Sequence, residues 1–410
     1  MSSAAPAEVQ AAAEDQNSLG AILRARWDAI KSGDVGSLPV IIGIIAITLY
    51  FTSKTSIFFS AVNFTNLIGQ MAGVTVIAVG VVFVLLIGEI DLSIGFVSGV
   101  AGVVVAELQL PGSGHQYPGL VAIGAAIATG AAIGAFQGSF VALIGVPSFV
   151  VTLAGLLAWQ GVILQLLGTQ GVIGIQDKQI NDISNYVLSK NLGWTIAILF
   201  TVGLGAAAFG PYLSRRRAGL PTGNLLLTAL RVAFYGGLSF AAVAVCNHSR
   251  GVPLVGLIIL FVVVLGSYVA SRTTFGRHVY AVGGNAEAAR RAGINVKLIR
   301  ILVFTISGAM AALGGIILAS RLNSVDLTAG GSTLLLDSIS AAVIGGVSLF
   351  GGRGRVSGAL FGGLIIGMIS NGIDLVGYSD AIKLITTGVI LLAAVTLDTV
   401  LRRRQAAAGR

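Results

Sequence analysis

Charged residues are scarce in this chain. Of its 410 residues only 10% are Asp, Glu, Lys or Arg, whereas 55% are hydrophobic. Soluble domains carry about 25% charged residues. A chain this apolar cannot cover its surface with polar groups, so we exclude a soluble globular protein and expect lipid to surround most of it.

Residues that form disulfides or bind metals are also few. Cys246 is the single cysteine, so neither an intramolecular disulfide nor a cysteine metal cluster can form. The three histidines, His115, His248 and His278, have no second ligand at metal-binding spacing. We therefore expect no metal site.

A phosphate-binding loop is missing as well. The pattern GxxxxGK[ST] occurs nowhere, and the glycine-rich residues 351–354 (GGRG) lack the lysine that such a loop needs. We predict that the chain is not an enzyme and has no ATPase site of its own.

Twelve apolar segments dominate the chain instead. Because a helix needs roughly 20 apolar residues to cross a bilayer, and several segments adjoin with almost no loop, we predict an all-α polytopic membrane protein with about 10 to 12 transmembrane helices, some of them broken. The segments are 36–53, 67–88, 92–109, 119–144, 147–168, 193–212, 225–246, 253–271, 298–320, 333–351, 355–375 and 381–401.

The distribution of Lys and Arg predicts the orientation. With the N-terminus inside, about 18 basic residues fall on the cytoplasmic side and about 6 on the outer side, as the positive-inside rule requires. Both termini are therefore expected in the cytoplasm. The net charge of +9 is a topology signal, and we predict no nucleic-acid partner.

This topology predicts the domain layout. A polar cytoplasmic tail (1–33) precedes a transmembrane domain (34–401), and a basic cytoplasmic tail (402–410) follows it. Two long loops interrupt the transmembrane domain. The loop 169–192 is expected outside, as a short helix or a cap over an entrance, and the loop 272–297 is expected in the cytoplasm.

The cytoplasmic loop contains the signals of one short helix. Gly283-Gly284 is expected to break the chain, and Asn285 is placed to cap the next turn. Gly293 supplies a left-handed stop. The helix predicted at 286–292 is too short to be stable alone in water, so it must dock. It either packs on its own protein as a capped surface helix or couples the chain to a cytoplasmic motor.

Several sequence blocks resemble one protein family. Residues 287–289 (EAA), followed by three residues and Gly293, are similar to the EAA–G signature of bacterial ABC importer permeases. The wider block GRHVYAVGGNAEAARRAGINV at 276–296 resembles the permeases for ribose, xylose and related sugars. Further blocks follow in the family's order: GEIDLSIGFVSGVAG at 88–102, VPSFVVTLAGLLAWQG at 146–161, LDSISAAVIGGVSLFGGRGRVSGALFGGLIIG at 336–367 and AAVTLD at 393–398. The segment pair at 193–246 makes the chain most similar to the xylose branch.

The resemblance implies a function and a set of partners. It implies the permease subunit of an importer for a monosaccharide in the bacterial cytoplasmic (inner) membrane. A separate ABC ATPase would use ATP and Mg, a sugar-binding protein would deliver cargo outside, and a second copy of the chain would form a homodimer with the first. No cofactor is expected on this chain. Coupling to the ATPase is assigned to Gly284, Asn285, Glu287, Ala288, Ala289, Gly293 and Ile294.

Polar residues in the apolar segments are candidates for the substrate pathway. Glu89 and Asp91 stand between two segments, where carboxylates are costly. Three interpretations stay open for them: a cap or helix break in which Asp91 or Ser93 caps the next helix, a pathway lining, or a proton relay. Asn66, Phe149, Thr152 and Asn371 are further pathway candidates, as are Gln70, Gln160, Gln165 and Asp374, although such residues also bridge helices.

A small-residue face recurs at Gly354, Gly358 and Gly362. Such a face allows close helix contact, either within one subunit or at a dimer seam.

Three other functions remain open. One is a permease of the same class with another cargo, such as ribose, another monosaccharide, an autoinducer or branched-chain amino acids. Another is an ion-coupled secondary sugar transporter, which would show internal repeats. The third is a membrane scaffold or receptor that transports nothing. No convincing repeat relates the two halves of the sequence.

Overall fold

The computed structural model describes residues 38–110, 112, 116–220 and 224–407. The predicted tail at 1–33 lies outside these residues, as do 408–410. The chain divides into two compact units. The main unit comprises Ser37–Tyr186 and Pro253–Val400, and the hairpin unit contains Val187–Val252.

Helices account for almost all of the regular structure in the described residues. In chain order the elements are α1 (Leu38–Lys54), α2 (Ala61–Leu86), α3 (Ile94–Glu107), α4 (Gly119–Ser139) with a π-helical end (Phe140–Ile144), α5 (Ser148–Leu167), β1 (Val172–Gly174), α6 (Lys178–Asn185), α7 (Lys190–Arg217), α8 (Leu225–His248), α9 (Leu254–Arg272), α10 (Thr274–Gly284), α11 (Ala286–Arg291), α12 (Val296–Leu322), β2 (Ser324–Asp326), α13 (Ser332–Ile344), α14 (Gly358–Val376) and α15 (Asp380–Ala407).

The all-α polytopic prediction is confirmed. Within the described residues, eight helices are long and apolar enough to cross a membrane: α2, α4 with its π-helical end, α5, α7, α8, α9, α12 and α14. Three apolar helices are shorter, α1, α3 and α13. At 1.5 Å per residue α3 and α13 are about 20 Å long, whereas the hydrocarbon core is about 30 Å thick. These two short helices correspond to the broken helices that the sequence predicted from apolar segments with almost no loop between them.

Helix α12 lies at the centre of the main unit. It packs along α2, α3 and α4, and most of its inward residues are fully buried. Close approach to α4 depends on glycine: a Cβ added at Gly130 would collide with the backbone of Gly308, and one added at Gly308 would collide with that of Gly130. The two backbones therefore touch where the helices cross, as small residues allow in membranes.

The small-residue face of α14 is used within the subunit. Gly362 packs on the backbone of Ala341 in α13, and Gly358 packs on Gly345 just after it. Gly354 lies against Val347. The face joins α13 to α14 of one chain, as the intrasubunit interpretation requires.

The predicted external loop contains two elements that close one end of the main unit. Strand β1 pairs antiparallel with β2, Val172 facing Asp326. Asp177 caps α6, and α6 is tied to the end of α12 by Ser184 Oγ to Ile317 O (2.8 Å) and Asn185 Nδ2 to Ser320 O (2.7 Å). We name this end, with residues 172–185 and 317–326, the capped end.

The hairpin unit consists of α7 and α8. Trp194 stacks on Phe240 with ring centroids 6.1 Å apart, and Thr201 fills the space beside Gly236. The backbone N–H of Leu188 donates to Val252 O at 2.9 Å. The segment that enters the hairpin and the segment that leaves it are therefore hydrogen-bonded to each other.

Candidate coupling loop and membrane pathway

The short helix α11 has the caps that its sequence predicts. Asn285 is extended (φ −161°) and its Oδ1 accepts from Ala288 N at 2.9 Å, which satisfies one free amide of the first turn. Gly293 has φ +84°, and Ile294 N donates to Ala289 O at 3.0 Å. The N-cap and the left-handed stop are confirmed, and the helix ends at Arg291, one residue earlier than predicted.

Most of the predicted coupling residues form one exposed surface. Ala289 is 5% exposed and anchors α11 to the main unit, with Ile294 half-buried beside it. The other five are exposed: Gly284, Asn285, Glu287, Ala288 and Gly293. Glu287 pairs with Arg290 (2.6 Å) and Arg291 (3.1 Å) on this surface. Exposed pairs add little stability, so the burial of Ala289 is the main anchor.

A second helix, α10, precedes α11 and was not predicted. Gly283-Gly284 was expected to break the chain, but both glycines belong to α10 and the break falls at Asn285. The reason is a close tertiary contact. A Cβ added at Gly283 would collide with Leu86 O at the end of α2 and lie 2.7 Å from Gly352 N.

Helix α10 contacts the end of α2 and the loop 345–357, through Gly283 and Tyr280. Gly352 N donates to Leu86 O at 2.9 Å, and Tyr280 Oη donates to Gly354 O at 2.8 Å. Burial raises the pKa of Tyr280, which keeps its hydroxyl protonated as a donor. The coupling loop, the end of α2 and the loop 345–357 are therefore in direct contact. We name this end of the main unit, with residues 272–297 and 345–357, the basic end.

An unwound segment, 87–93, leads from the basic end into the membrane domain. Gly88 has φ +75°, and Glu89 forms an ion pair with Arg300 of α12 at 3.1 Å. Ile90 N donates to Ser148 Oγ at 3.3 Å, which joins the segment to the start of α5. Thr152, fully buried, donates to Ser148 O at 2.9 Å and lies 3.3 Å from Ile90 O.

Asp91 ends the unwound segment in a buried polar cluster. Its Oδ1 accepts from Ser93 N (3.0 Å) and Ser93 Oγ (2.7 Å), and its Oδ2 accepts from Ser307 Oγ (3.1 Å). Ser93 Oγ also lies 2.9 Å from Gln137 Oε1. The bond from Ser93 N is that of an Asx turn, which starts α3. The cluster joins α3, α4 and α12.

The remaining predicted pathway residues lie elsewhere. Asn371 of α14 exchanges two hydrogen bonds with Asn63 of α2, at 2.8 and 2.9 Å, and both are buried. Asn66 is exposed, and Phe149 is 54% exposed at the start of α5. The structure therefore brings Glu89, Asp91, Ser93 and Thr152 together along one segment and separates them from Asn66 and Asn371.

A family match covers most of the residues that build this arrangement. Residues 63–395 match the family model described as "Branched-chain amino acid transport system / permease component". The chain belongs to this permease family. The match begins within α2 and ends within α15, so it includes the unwound segment, α10 and α11.

Relatives of the permease have sugar transport in their names. It is 36% identical to the xylose transport system permease protein of Escherichia coli K12 over 380 residues, which cover 92% of this chain and 95% of the relative. The Haemophilus influenzae xylose transport system permease protein is 35% identical, with 90% and 98% covered. The ribose import permease protein of Escherichia coli K12 is 34% identical, with 83% and 87% covered. No solved structure matches the permease.

The sequence did not predict which side chains contact Glu89 and Asp91. Arg300, Ser307 and Gln137 complete the clusters of Glu89 and Asp91, and they come from helices far along the chain.

Proposed function

We propose that the chain is the membrane-spanning permease subunit of an ABC importer for a monosaccharide, with xylose or a related pentose or hexose as the cargo. The observation that carries the proposal is the exposed, doubly capped helix α11, anchored by Ala289 and continued by the contact of Gly283 with Leu86. It offers a rigid surface from which a motor could act on the membrane helices.

The cargo is inferred from the relatives. Xylose permeases match over 380 residues and the ribose permease over 341, with similar identity. The longer match favours the xylose branch. The family model is described for branched-chain amino acids, so that cargo is the alternative that the experiment must include.

The residues at the two ends of the main unit support one orientation in the membrane. The basic end holds loops 272–297 and 345–357, whose arginines are predicted to be cytoplasmic. The opposite end holds β1, β2 and α6. We infer that the basic end faces the cytoplasm and the capped end faces outward, with both termini inside and the protein in the bacterial inner membrane.

The partners follow from this orientation. A cytoplasmic ABC ATPase would bind α11 and use ATP and Mg, since we assign no ATPase site to this chain. A sugar-binding protein would dock at the capped end. A second copy of the chain would complete the pathway, because closed two-fold pairs are the default for such assemblies.

In the proposed mechanism, movement of the protein chain, and not tight binding of the sugar, controls the pathway. A push on α11 would shift α10, and the contact of Gly283 with Leu86 and Gly352 would pass the movement to the end of α2 and to loop 345–357. The unwound segment 87–93 begins next to Leu86. Movement there would change how Glu89 and Asp91 meet α12, and so open or close the pathway on the inner side.

Uptake by a reconstituted system tests the proposed function. Proteoliposomes holding the permease and its ATPase, with the binding protein outside, should take up labelled xylose only with ATP inside. Excess unlabelled ribose or leucine measures the competing cargo. Uptake of leucine in place of any sugar would overturn the cargo, and uptake without the ATPase would favour an ion-coupled transporter.

A further inference from the structure

The α7–α8 hairpin contains no acidic residue. Between positions 187 and 252 the sequence has neither Asp nor Glu, and its lysine and arginine residues are Lys190, Arg215, Arg216, Arg217, Arg231 and Arg250. The ion pairs that the described residues form all lie in the main unit. No carboxylate of the hairpin therefore neutralises these positive charges, and their partners have to come from outside it.

Three of the arginines end helix α7. Arg215, Arg216 and Arg217 are the last residues of the helix, and all three are exposed. Helix α7 is long and apolar enough to cross a membrane, and its apolar run stops just before them. A basic run at the end of a membrane helix lies at the level of the lipid headgroups, where anionic lipids attract it.

The fourth arginine lies inside the apolar part of α8. Arg231 is exposed and is the seventh residue of α8, about 9 Å from the start of the helix. Phe234, one turn away, is 66% exposed. Val232 lies beside α7, because a Cβ added at Gly205 would be 4.0 Å from Val232 Cγ1. Gly205 is about 15 Å before Arg215 along α7, so Arg231 lies deeper than the end of α7.

The position of Arg231 restricts its partner. A guanidinium group that faces hydrocarbon is costly, and an arginine near the end of a membrane helix extends its long side chain toward the headgroups. Its five N–H donors form a rigid fork that matches two oxygens of a phosphate group. Because the hairpin offers no carboxylate, a lipid phosphate is the partner that this depth in the membrane supplies.

We propose that Arg215, Arg216, Arg217 and Arg231 form a binding surface for the headgroups of anionic phospholipids, with phosphatidylglycerol as the probe. An anionic headgroup adds a negative charge to four arginines that have no acidic neighbour in the hairpin, whereas a zwitterionic headgroup also brings a positive charge. The inference goes beyond the proposed function and depends on neither the ATPase nor the sugar. The alternative is that these arginines only set the topology of the hairpin, without preference for a headgroup.

Lipid retention by matched double variants separates these alternatives. The full-length permease is mixed in detergent with equal amounts of phosphatidylglycerol and phosphatidylcholine and purified again, and the retained lipids are counted by mass spectrometry. The unmodified protein should retain about fivefold more phosphatidylglycerol. Arg216→Gln with Arg231→Gln should lower this ratio at least about twofold, whereas Arg216→Lys with Arg231→Lys should keep most of it.

The control removes the same charge at the opposite end of the hairpin. Lys190 begins α7 and Arg250 follows α8, and both are exposed. Lys190→Gln with Arg250→Gln should leave the ratio unchanged. Size-exclusion chromatography of every variant checks that it is folded and that its oligomeric state is the unmodified one.

Thermal unfolding tests the same contact without a second purification. A ligand that binds the folded protein raises its unfolding temperature. Phosphatidylglycerol should raise this temperature more than phosphatidylcholine does, and the rise should shrink in Arg216→Gln with Arg231→Gln. Because salt screens exposed charges, 0.5 M NaCl should remove most of the difference between the two lipids. Inorganic phosphate at the lipid concentration should have no such effect.

The outcomes that would overturn the inference are distinct. They are an unchanged ratio in Arg216→Gln with Arg231→Gln, an equal loss in the control at the opposite end, or stabilisation by inorganic phosphate as strong as that by the lipid. A changed oligomeric state of the glutamine variant would assign the arginines to a contact between two copies instead. Failure of ATP-driven sugar uptake would overturn the proposed function and leave the lipid surface unaffected.

Discussion

Gly283 and Gly284 are adjacent residues with opposite surroundings. A Cβ at Gly283 would collide with the backbone of Leu86, whereas a Cβ at Gly284 would have nothing within 4 Å. The difference makes a matched pair of substitutions that separates the role of the contact from the general preference of helices for alanine.

We predict that Gly283→Ala destabilises the permease and Gly284→Ala does not. Overpacking against a fixed backbone should cost about 1–3 kcal/mol and lower the unfolding temperature in detergent. Gly284→Ala should leave that temperature unchanged or raise it slightly. Equal unfolding temperatures for the two variants would show that α10 does not press on Leu86.

Asp91 offers a test of the interpretations that its position leaves open. Ser93 N, Ser93 Oγ and Ser307 Oγ all donate to this carboxylate. Asp91→Ala leaves these donors unsatisfied and should cost about 1–3 kcal/mol. Asp91→Asn keeps a carbonyl acceptor for Ser93, and Ser307 can accept from its NH₂ group.

We predict that Asp91→Asn transports near the unmodified rate and that Asp91→Ala does not. This result is expected for a cap that joins helices. Loss of uptake in Asp91→Asn with an unchanged unfolding temperature would indicate instead that the negative charge is required, as in a proton relay. Uptake and thermal unfolding, measured on the same preparations, distinguish these outcomes.

At the scale of elements, the sequence was informative where structure depends on neighbouring residues. Asn285 caps α11 through a residue three positions away, and Gly293 stops it through its own φ. Such local signals are visible in the sequence. Helix α10 was not visible, because glycines that usually break a helix are used here for a backbone contact with α2.

Long-range contacts explain the other differences. Asp91 and Ser307 are separated by 216 positions, and no local pattern connects them. The apolar segments 92–109 and 333–351 are longer than the helices α3 and α13 that form there. Residues 345–351 are apolar and glycine-rich, but Gly346 and Gly351 have positive φ, so the chain there leaves the helix.

The α7–α8 hairpin leaves the main unit and returns to it at one point. Leu254 N donates to Tyr186 O at 2.9 Å, and both residues belong to the main unit. The ends that a deletion would join are therefore already adjacent. We predict that replacing 187–252 by Gly-Gly leaves a main unit that inserts and remains monodisperse in size-exclusion chromatography.

A matched deletion serves as the control. Removal of 172–185 takes away β1 and α6, which are bonded to β2 and to the end of α12. That variant should aggregate. Aggregation of the hairpin deletion to the same extent would show that the main unit does not fold without residues 187–252.

At the scale of the whole molecule, the main unit connects an exposed helix to a buried polar segment. Ala289 anchors α11, Gly283 presses α10 on Leu86, and residues 87–93 follow Leu86 into the membrane domain. These packed contacts form a continuous path from α11 to the segment that holds Glu89 and Asp91, and the proposed function predicts that a displacement at α11 follows it.

The most direct test is ATP-driven xylose uptake by Ala288→Trp. Ala288 is exposed on α11, so tryptophan should leave the fold intact while it blocks a docking motor. We predict normal purification, loss of the ATPase from the purified complex and loss of uptake, whereas Ala288→Ser keeps both. ATP-dependent uptake by Ala288→Trp at the unmodified rate would contradict entry of force through α11.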